Sequence, residues 1–91
     1  MSTHEWTLLT NHGHVLVCIA RDPDILLSDI AAQVGIRERA VHRIVTDLIE
    51  AGYVTRTRRG RRNHYAIRER QPMRHPLERP HRIGELLEAL R

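Results

Sequence analysis

The 91 residues contain no lysine and no phenylalanine, only three aromatic side chains and one cysteine. Each shortage removes a class of function. A single Cys18 excludes an intramolecular disulfide and a cysteine metal cluster, and its place inside the apolar run at residues 15–20 marks it as a buried structural thiol. Trp6, Tyr53 and Tyr65 are too few for the base-stacking platform of a single-strand binder. No stretch near about 20 apolar residues and no signal peptide occurs, so a membrane location is not expected. A nucleophile elbow, a P-loop and paired carboxylates are also missing, and His12 and His14, two residues apart, fall on different sides of a helix. The expectations are therefore no enzyme, no cofactor and no metal.

What is present is arginine, and it is unevenly placed. Residues 1–36 carry a net charge of −3, residues 37–70 carry +6 and the remainder +1, which gives the formal +4. A basic half beside an acidic half is the footprint of a polyanion binder. At this length a single domain is expected, burying only about 60 to 65% of its unfolded surface and gaining from a partner subunit.

The basic half is built around residues 28–54. Val41, Ile44, Val45, Leu48 and Ile49 recur at i, i+3, i+4, i+7 and i+8, the spacing of one apolar helix face. Arg39, His42, Arg43 and Thr46 repeat that spacing two residues out of phase and so point about 200° away, toward solvent. A shorter helix precedes them from Ser28, its expected N-cap, to Val34, with Ile30, Ala31 and Val34 inward. Gly35 supplies the left-handed residue between the two, and Ile36 returns to the core. A short helix, a glycine turn and a longer helix with a polar outer face make a helix-turn-helix, whose second helix enters the major groove.

The stretch AAQVGIRERAVHRIVTDLIEAGYVTRTRRGRRNHYAI resembles the winged helix-turn-helix of MarR-like and ArsR-like bacterial transcription regulators. The shared pattern is Gly-hydrophobic, then Ala-Val-x-Arg, then an Ala-Gly-aromatic-Val helix end and a Gly-Arg wing. The likeness spans about residues 11–68, and LTNH and RHPLE near the two ends are similar to small actinobacterial regulators. It implies an α+β, mainly helical fold: a winged helix-turn-helix of three core helices plus a β-hairpin wing, with a C-terminal helix. It also implies a cytoplasmic protein at the bacterial nucleoid and a homodimer. Arg37 stands where the family has Ser or Thr, which removes a side-chain cap, a loss of about 1 kcal/mol, and adds a cation.

Outside this stretch the chain reads as follows. Residues 4–10 form a short amphipathic lead-in with Trp6, Leu8 and Leu9, and Asn11 caps a helix from His12 to about Arg21 that Asp22-Pro23 stops. Residues 25–27 suggest a very short strand. After Gly52, residues 53–58 and 64–68 read as a hairpin joined by the turn Arg59-Gly60-Arg61-Arg62-Asn63. Pro72, Pro76 and Pro80 favour an extended strap, and Ile83, Leu86, Leu87 and Leu90 form the apolar stripe of a last short helix. Too short to stand alone, that helix must pack on the first helix or on a second subunit. Trp6, Leu9, Ile83, Leu86, Leu87 and Leu90 are the expected dimer contact, by analogy with the family. Residues 1–70 are the DNA-binding unit, and 71–91 the strap and helix of the same domain or interface.

The expected partner is double-stranded DNA. Arg37, Glu38, Arg39, His42, Arg43 and Thr46 on the recognition helix meet the major groove: arginine matches guanine O6 and N7, and glutamate accepts from cytosine N4. Ser28, Arg56, Arg58, Arg59, Arg61, Arg62 and Asn63 hold the backbone or a minor groove. A solvated surface lattice is the plainer alternative, with Arg43 paired to Asp47 and His42 to Glu38. Two other functions fit the same residues: a winged-helix module for protein association, or a nonspecific DNA-binding protein. A small-molecule effector has room in a dimer cleft, but no residue names one.

Overall fold

A computed structural model describes residues 6–91. The amphipathic lead-in is irregular over residues 6–10, and His4 and Glu5 lie outside the described residues. Helix α1 (Asn11–Arg21) begins one residue early, with Thr10 at the cap position and no side-chain cap bond. Its inward residues are Val15, Leu16, Cys18 and Ile19. The chain leaves it at Asp22, whose amide donates to Cys18 O at 3.1 Å.

Helix α2 (Leu27–Val34) starts before the expected residue. Ser28 lies within its first turn rather than at the cap, because Leu26 O already accepts from the amides of Asp29 and Ile30, both at 3.0 Å. The strand expected at residues 25–27 is likewise replaced: Ile25 is buried in an irregular segment and Leu27 is helical. Gly35 ends α2 at φ 85 and ψ 35, the left-handed conformation that a Cβ disfavours. Its amide and that of Ile36 both donate to Ala31 O, closing the turn.

Helix α3 (Glu38–Glu50) then runs for 13 residues, about 20 Å. Arg37 occupies its cap position in extended conformation and makes no side-chain cap bond, as the substitution of Ser or Thr implied. Val41, Ile44, Val45 and Leu48 are buried and Ile49 half-buried against the same core.

Strands β1 (Val54–Arg59) and β2 (Arg62–Ile67) pair antiparallel, Val54 opposite Ile67 and Arg59 opposite Arg62. The expected five-residue loop therefore shortens to Gly60-Arg61, and Asn63 lies in a strand opposite Arg58. Gly60 has φ 60, which a two-residue hairpin turn of type II′ requires at its first position. Val54 and Tyr65 are buried at the root of the hairpin, and Ile67 packs against them half-buried.

The proline segment is not an extended strap. Pro72 bridges to Arg82, the Met73 amide donates to His81 O at 3.0 Å, and tight turns fill the interval, so residues 72–82 form a closed loop. Tyr53 Oη anchors its start by donating to Pro72 O at 3.1 Å. Helix α4 (Ile83–Leu90) returns to α1, burying Ile83 and Leu87 in the shared core. Arg21 Nη2 donates to Leu90 O at 2.9 Å and Arg91 Nη2 to Glu69 Oε2 at 2.9 Å, fastening the end of the chain. Of the two partners open to this helix, its own first helix receives Ile83 and Leu87. Those two side chains are therefore corrected from dimer contacts to core. Fully burying such a residue is worth about 1.5 to 3 kcal/mol. No described helix is long and apolar enough to cross a membrane.

Candidate nucleic-acid interface

The outer face of α3 carries Glu38, Arg39, His42 and Arg43, all exposed, and Thr46, half-buried. The Thr46 hydroxyl donates to His42 O at 3.0 Å within the helix, so its hydrogen is already used. The lattice of ion pairs that would make this an ordinary solvated face does not form. Asp47 is taken by His12 Nε2 at 2.9 Å, across to α1, rather than by Arg43. Among the described residues, Arg37, Arg39 and Arg43 have no carboxylate within 4.0 Å. The three arginines instead border an open cleft of about 530 Å³ with Asn11, His12, Ala40 and Ile44. Local spacing around His12 carried no sign of its role, because its partner is 35 residues away.

Ser28 is exposed in the first turn of α2. The amides of Leu27 and Ser28 precede the first helical hydrogen bonds, so they remain free to meet an anion.

The wing divides its arginines by strand pleat. Arg56 and Arg58 share a face with Val54 and Tyr65, while Arg59 and Arg62 share the opposite face with His64. Arg58 Nε donates to Gly60 O at 3.1 Å and helps hold the turn. Arg62 Nη1 donates to Asp24 O at 3.2 Å and so is tied to the loop between α1 and α2. Arg56, Arg59 and Arg61 are exposed and make no side-chain hydrogen bond among the described residues. Asn63 is half-buried.

The wing root is fixed to the same loop by two further bonds. The Tyr65 amide donates to Pro23 O at 2.8 Å, and the ring N–H at His64 Nδ1 donates to Asp24 Oδ1 at 2.7 Å. That hydrogen bond holds the Asp24 carboxyl below the usual carboxylate range, and the charges of His64, Arg59 and Arg62 act in the same direction. Reading the sequence assigned no function to Asp24 or His64, which are 40 residues apart.

Away from this face, the Cys18 thiol lies 3.5 Å from Gln33 Oε1, and burial pushes its pKa up against the lowering effect of Arg21. Among the dimer candidates that remain, Trp6 is 75% exposed, and Leu9, Leu86 and Leu90 are partly covered. Leu8, which reading the sequence did not place at an interface, is 93% exposed. Among the described residues no three His, Cys, Asp or Glu side chains gather as a metal set.

The sequence pattern of the MarR family matches residues 9–61, more than half of the chain. The chain belongs to the MarR family, and its fold is the winged helix-turn-helix of that family's transcription regulators. Two solved structures resemble it. One is the zinc-responsive MarR family member ZitR of Lactococcus lactis, with a TM-score of 0.56 and 22% identity, covering 72% of this chain and 47% of that protein. The other is the zinc-dependent MarR family transcriptional regulator AdcR in its Zn(II)-bound state, with a TM-score of 0.56 and 20% identity, covering 96% and 55%. At these identities the likeness is one of fold, and the chain spans about half the length of each. No curated protein sequence matches it.

Proposed function

We propose that this chain is a sequence-specific double-stranded DNA-binding transcription regulator that acts as a homodimer on an inverted repeat. The observation that carries the reading is the set of cations without a carboxylate partner among the described residues, on a fold of known groove-binding type. Arg39 and Arg43 are like charges at i, i+4, an arrangement that weakens a helix by roughly 0.2 to 0.5 kcal/mol without an anion. The acidic neighbour one turn on from Arg43, Asp47, is held by His12. An anionic partner reverses that cost. Arg39 and Arg43 read guanine edges, Glu38 meets cytosine, and His42 and Thr46 make the weaker base contacts. Arg37, Ser28 and the free amides of α2 hold phosphate, as do Arg56, Arg59 and Arg61 on the wing, while Arg58, Arg62 and Asn63 shape the hairpin that carries them.

A two-fold dimer sets two recognition helices about 34 to 36 Å apart, in successive major grooves. Trp6, Leu8, Leu9, Leu86 and Leu90 supply apolar surface for it, since Ile83 and Leu87 are already spent on the core. The roles separate by substitution. Arg43→Ala relaxes preference at particular base pairs by about 1 to 3 kcal/mol, whereas Arg61→Ala weakens binding to every sequence alike. Measuring both variants on a selected site and on random duplex tests the assignment, and a reversed pattern overturns it.

A further inference from the structure

The hairpin has only two strands, and such a hairpin is marginal in isolation. Its orientation relative to α3 must come from docking. Two connections provide it: the buried root at Val54 and Tyr65, and a polar seam along the β2 edge where residues 23–24 meet residues 62–65. In that seam Tyr65 N–H reaches Pro23 O, Arg62 reaches Asp24 O, and the 2.7 Å contact between His64 and Asp24 joins the two segments side chain to side chain. The Asp24 amide donates in turn to Asp22 Oδ1 at 3.0 Å, which braces the loop backbone that carries the Asp24 side chain.

We infer that Asp24 and His64 are positioning residues for DNA binding: their hydrogen bond sets the angle at which the wing presents Arg59 and Arg61 relative to the recognition helix. The inference rests on the proposed role of the wing. It makes an acid beside the wing arginines necessary for holding a polyanion. Simple charge counting predicts the opposite sign, because deleting a carboxylate near phosphates removes repulsion. The two accounts therefore separate without ambiguity. Asp24→Ala spares the backbone carbonyl that accepts from Arg62 and removes only the carboxylate.

The test measures binding of the full chain to a labelled random-sequence duplex, by fluorescence anisotropy at one low salt concentration. The variants are Asp24→Ala, His64→Ala, their double substitution, His64→Asn and Arg61→Ala, each with its thermal transition recorded. Asn places an N–H close to where His carries Nδ1, so it can still donate to Asp24. The expected results are a loss of about fivefold or more for Asp24→Ala and for His64→Ala, a double variant no weaker than the worse single, and near wild-type binding for His64→Asn. Exchange of the Tyr65 amide should also quicken in Asp24→Ala while α3 amides keep their protection. Equal or tighter binding by Asp24→Ala overturns the inference, as does additivity of the two alanine variants. If Asp24→Ala does not fold, the contrast between His64→Asn and His64→Ala decides, and equal losses overturn it. Should Arg61→Ala also bind like wild type, the wing reading itself fails. If Arg61→Ala weakens binding and Asp24→Ala does not, the positioning role alone fails.

Discussion

Replacing Arg61 with alanine should flatten the salt dependence of DNA binding by a predictable amount. In the proposed role four exposed arginines of each chain, without a carboxylate partner among the described residues, meet phosphate: Arg37 at the head of α3, and Arg56, Arg59 and Arg61 on the wing. A dimer presents twice that number. At about 0.9 counterion per neutralised phosphate, the slope of log affinity against log salt is about −7, so binding falls by about four orders of magnitude between about 50 and 200 mM salt. Removing Arg61 from both protomers deletes two phosphate contacts, which brings the slope to about −5 and the fall to about three orders. The assay is anisotropy titration of a labelled duplex across a salt series. Arg62→Ala is the contrast, because its guanidinium is held by Asp24 O, so its loss removes no assigned phosphate contact and changes the slope less than Arg61→Ala does. An unchanged slope for Arg61→Ala would refute the assignment of the wing to the phosphate backbone, and so would an equal change for Arg62→Ala.

Three further outcomes follow from packing and titration. Leu87→Ala, at a site 1% exposed between α4 and α1, should cost about 2 to 5 kcal/mol in urea unfolding, equally at low and high protein concentration; a cost that depends on concentration would return Leu87 to the dimer interface. Gly35→Ala should lower stability by about 1 to 2 kcal/mol, since φ is +85 and no neighbouring atom crowds the added Cβ; a stabilised variant would contradict the left-handed turn. Asp24 and Glu85 both have lowered carboxyl pKa values, Asp24 chiefly through His64 and Glu85 through the Arg82 amide and then His81. Their contribution is present above the ordinary carboxylate range, near pH 4, and is lost as pH falls through the lowered values. Acid unfolding of an Asp24→Asn, Glu85→Gln variant should accordingly depend less steeply on pH below about 4 than the wild type does, and an identical profile would count against both hydrogen bonds.

The helices were legible in the sequence where periodicity and punctuation agreed. The stripe from Val41 to Ile49 and the glycine at position 35 defined α3 and its turn because both signals are local to a few residues. Helix starts were read less well: Ser28 and Asn11 are good capping residues, yet carbonyls of Leu26 and Thr10 take up the first amides one or two residues earlier. Proline at positions 72, 76 and 80 correctly excluded a helix but carried no information about closure. The Pro72 to Arg82 bridge joins residues ten apart just before α4, beyond the reach of any proline signal. The same limit applies to the interface. The arginines announced themselves by density, whereas His12 with Asp47 and His64 with Asp24 are pairs made by the fold over 35 and 40 residues. No spacing rule connects residues that far apart. The apolar stripe of α4 was visible in full, but which side of it meets α1 is set by three-dimensional packing, and that separates Leu87 from Leu86.

The most direct test of the central claim is selection of bound duplexes from a random-sequence pool by the purified protein, followed by sequencing, at two salt concentrations. A dimeric regulator recovers an inverted repeat whose half-site centres lie about 10 base pairs apart, with guanines at the positions that Arg43→Ala releases. Recovery of salt-sensitive binding with no enriched motif would contradict sequence-specific recognition by α3, and absence of binding at either salt would contradict DNA as the partner of this face.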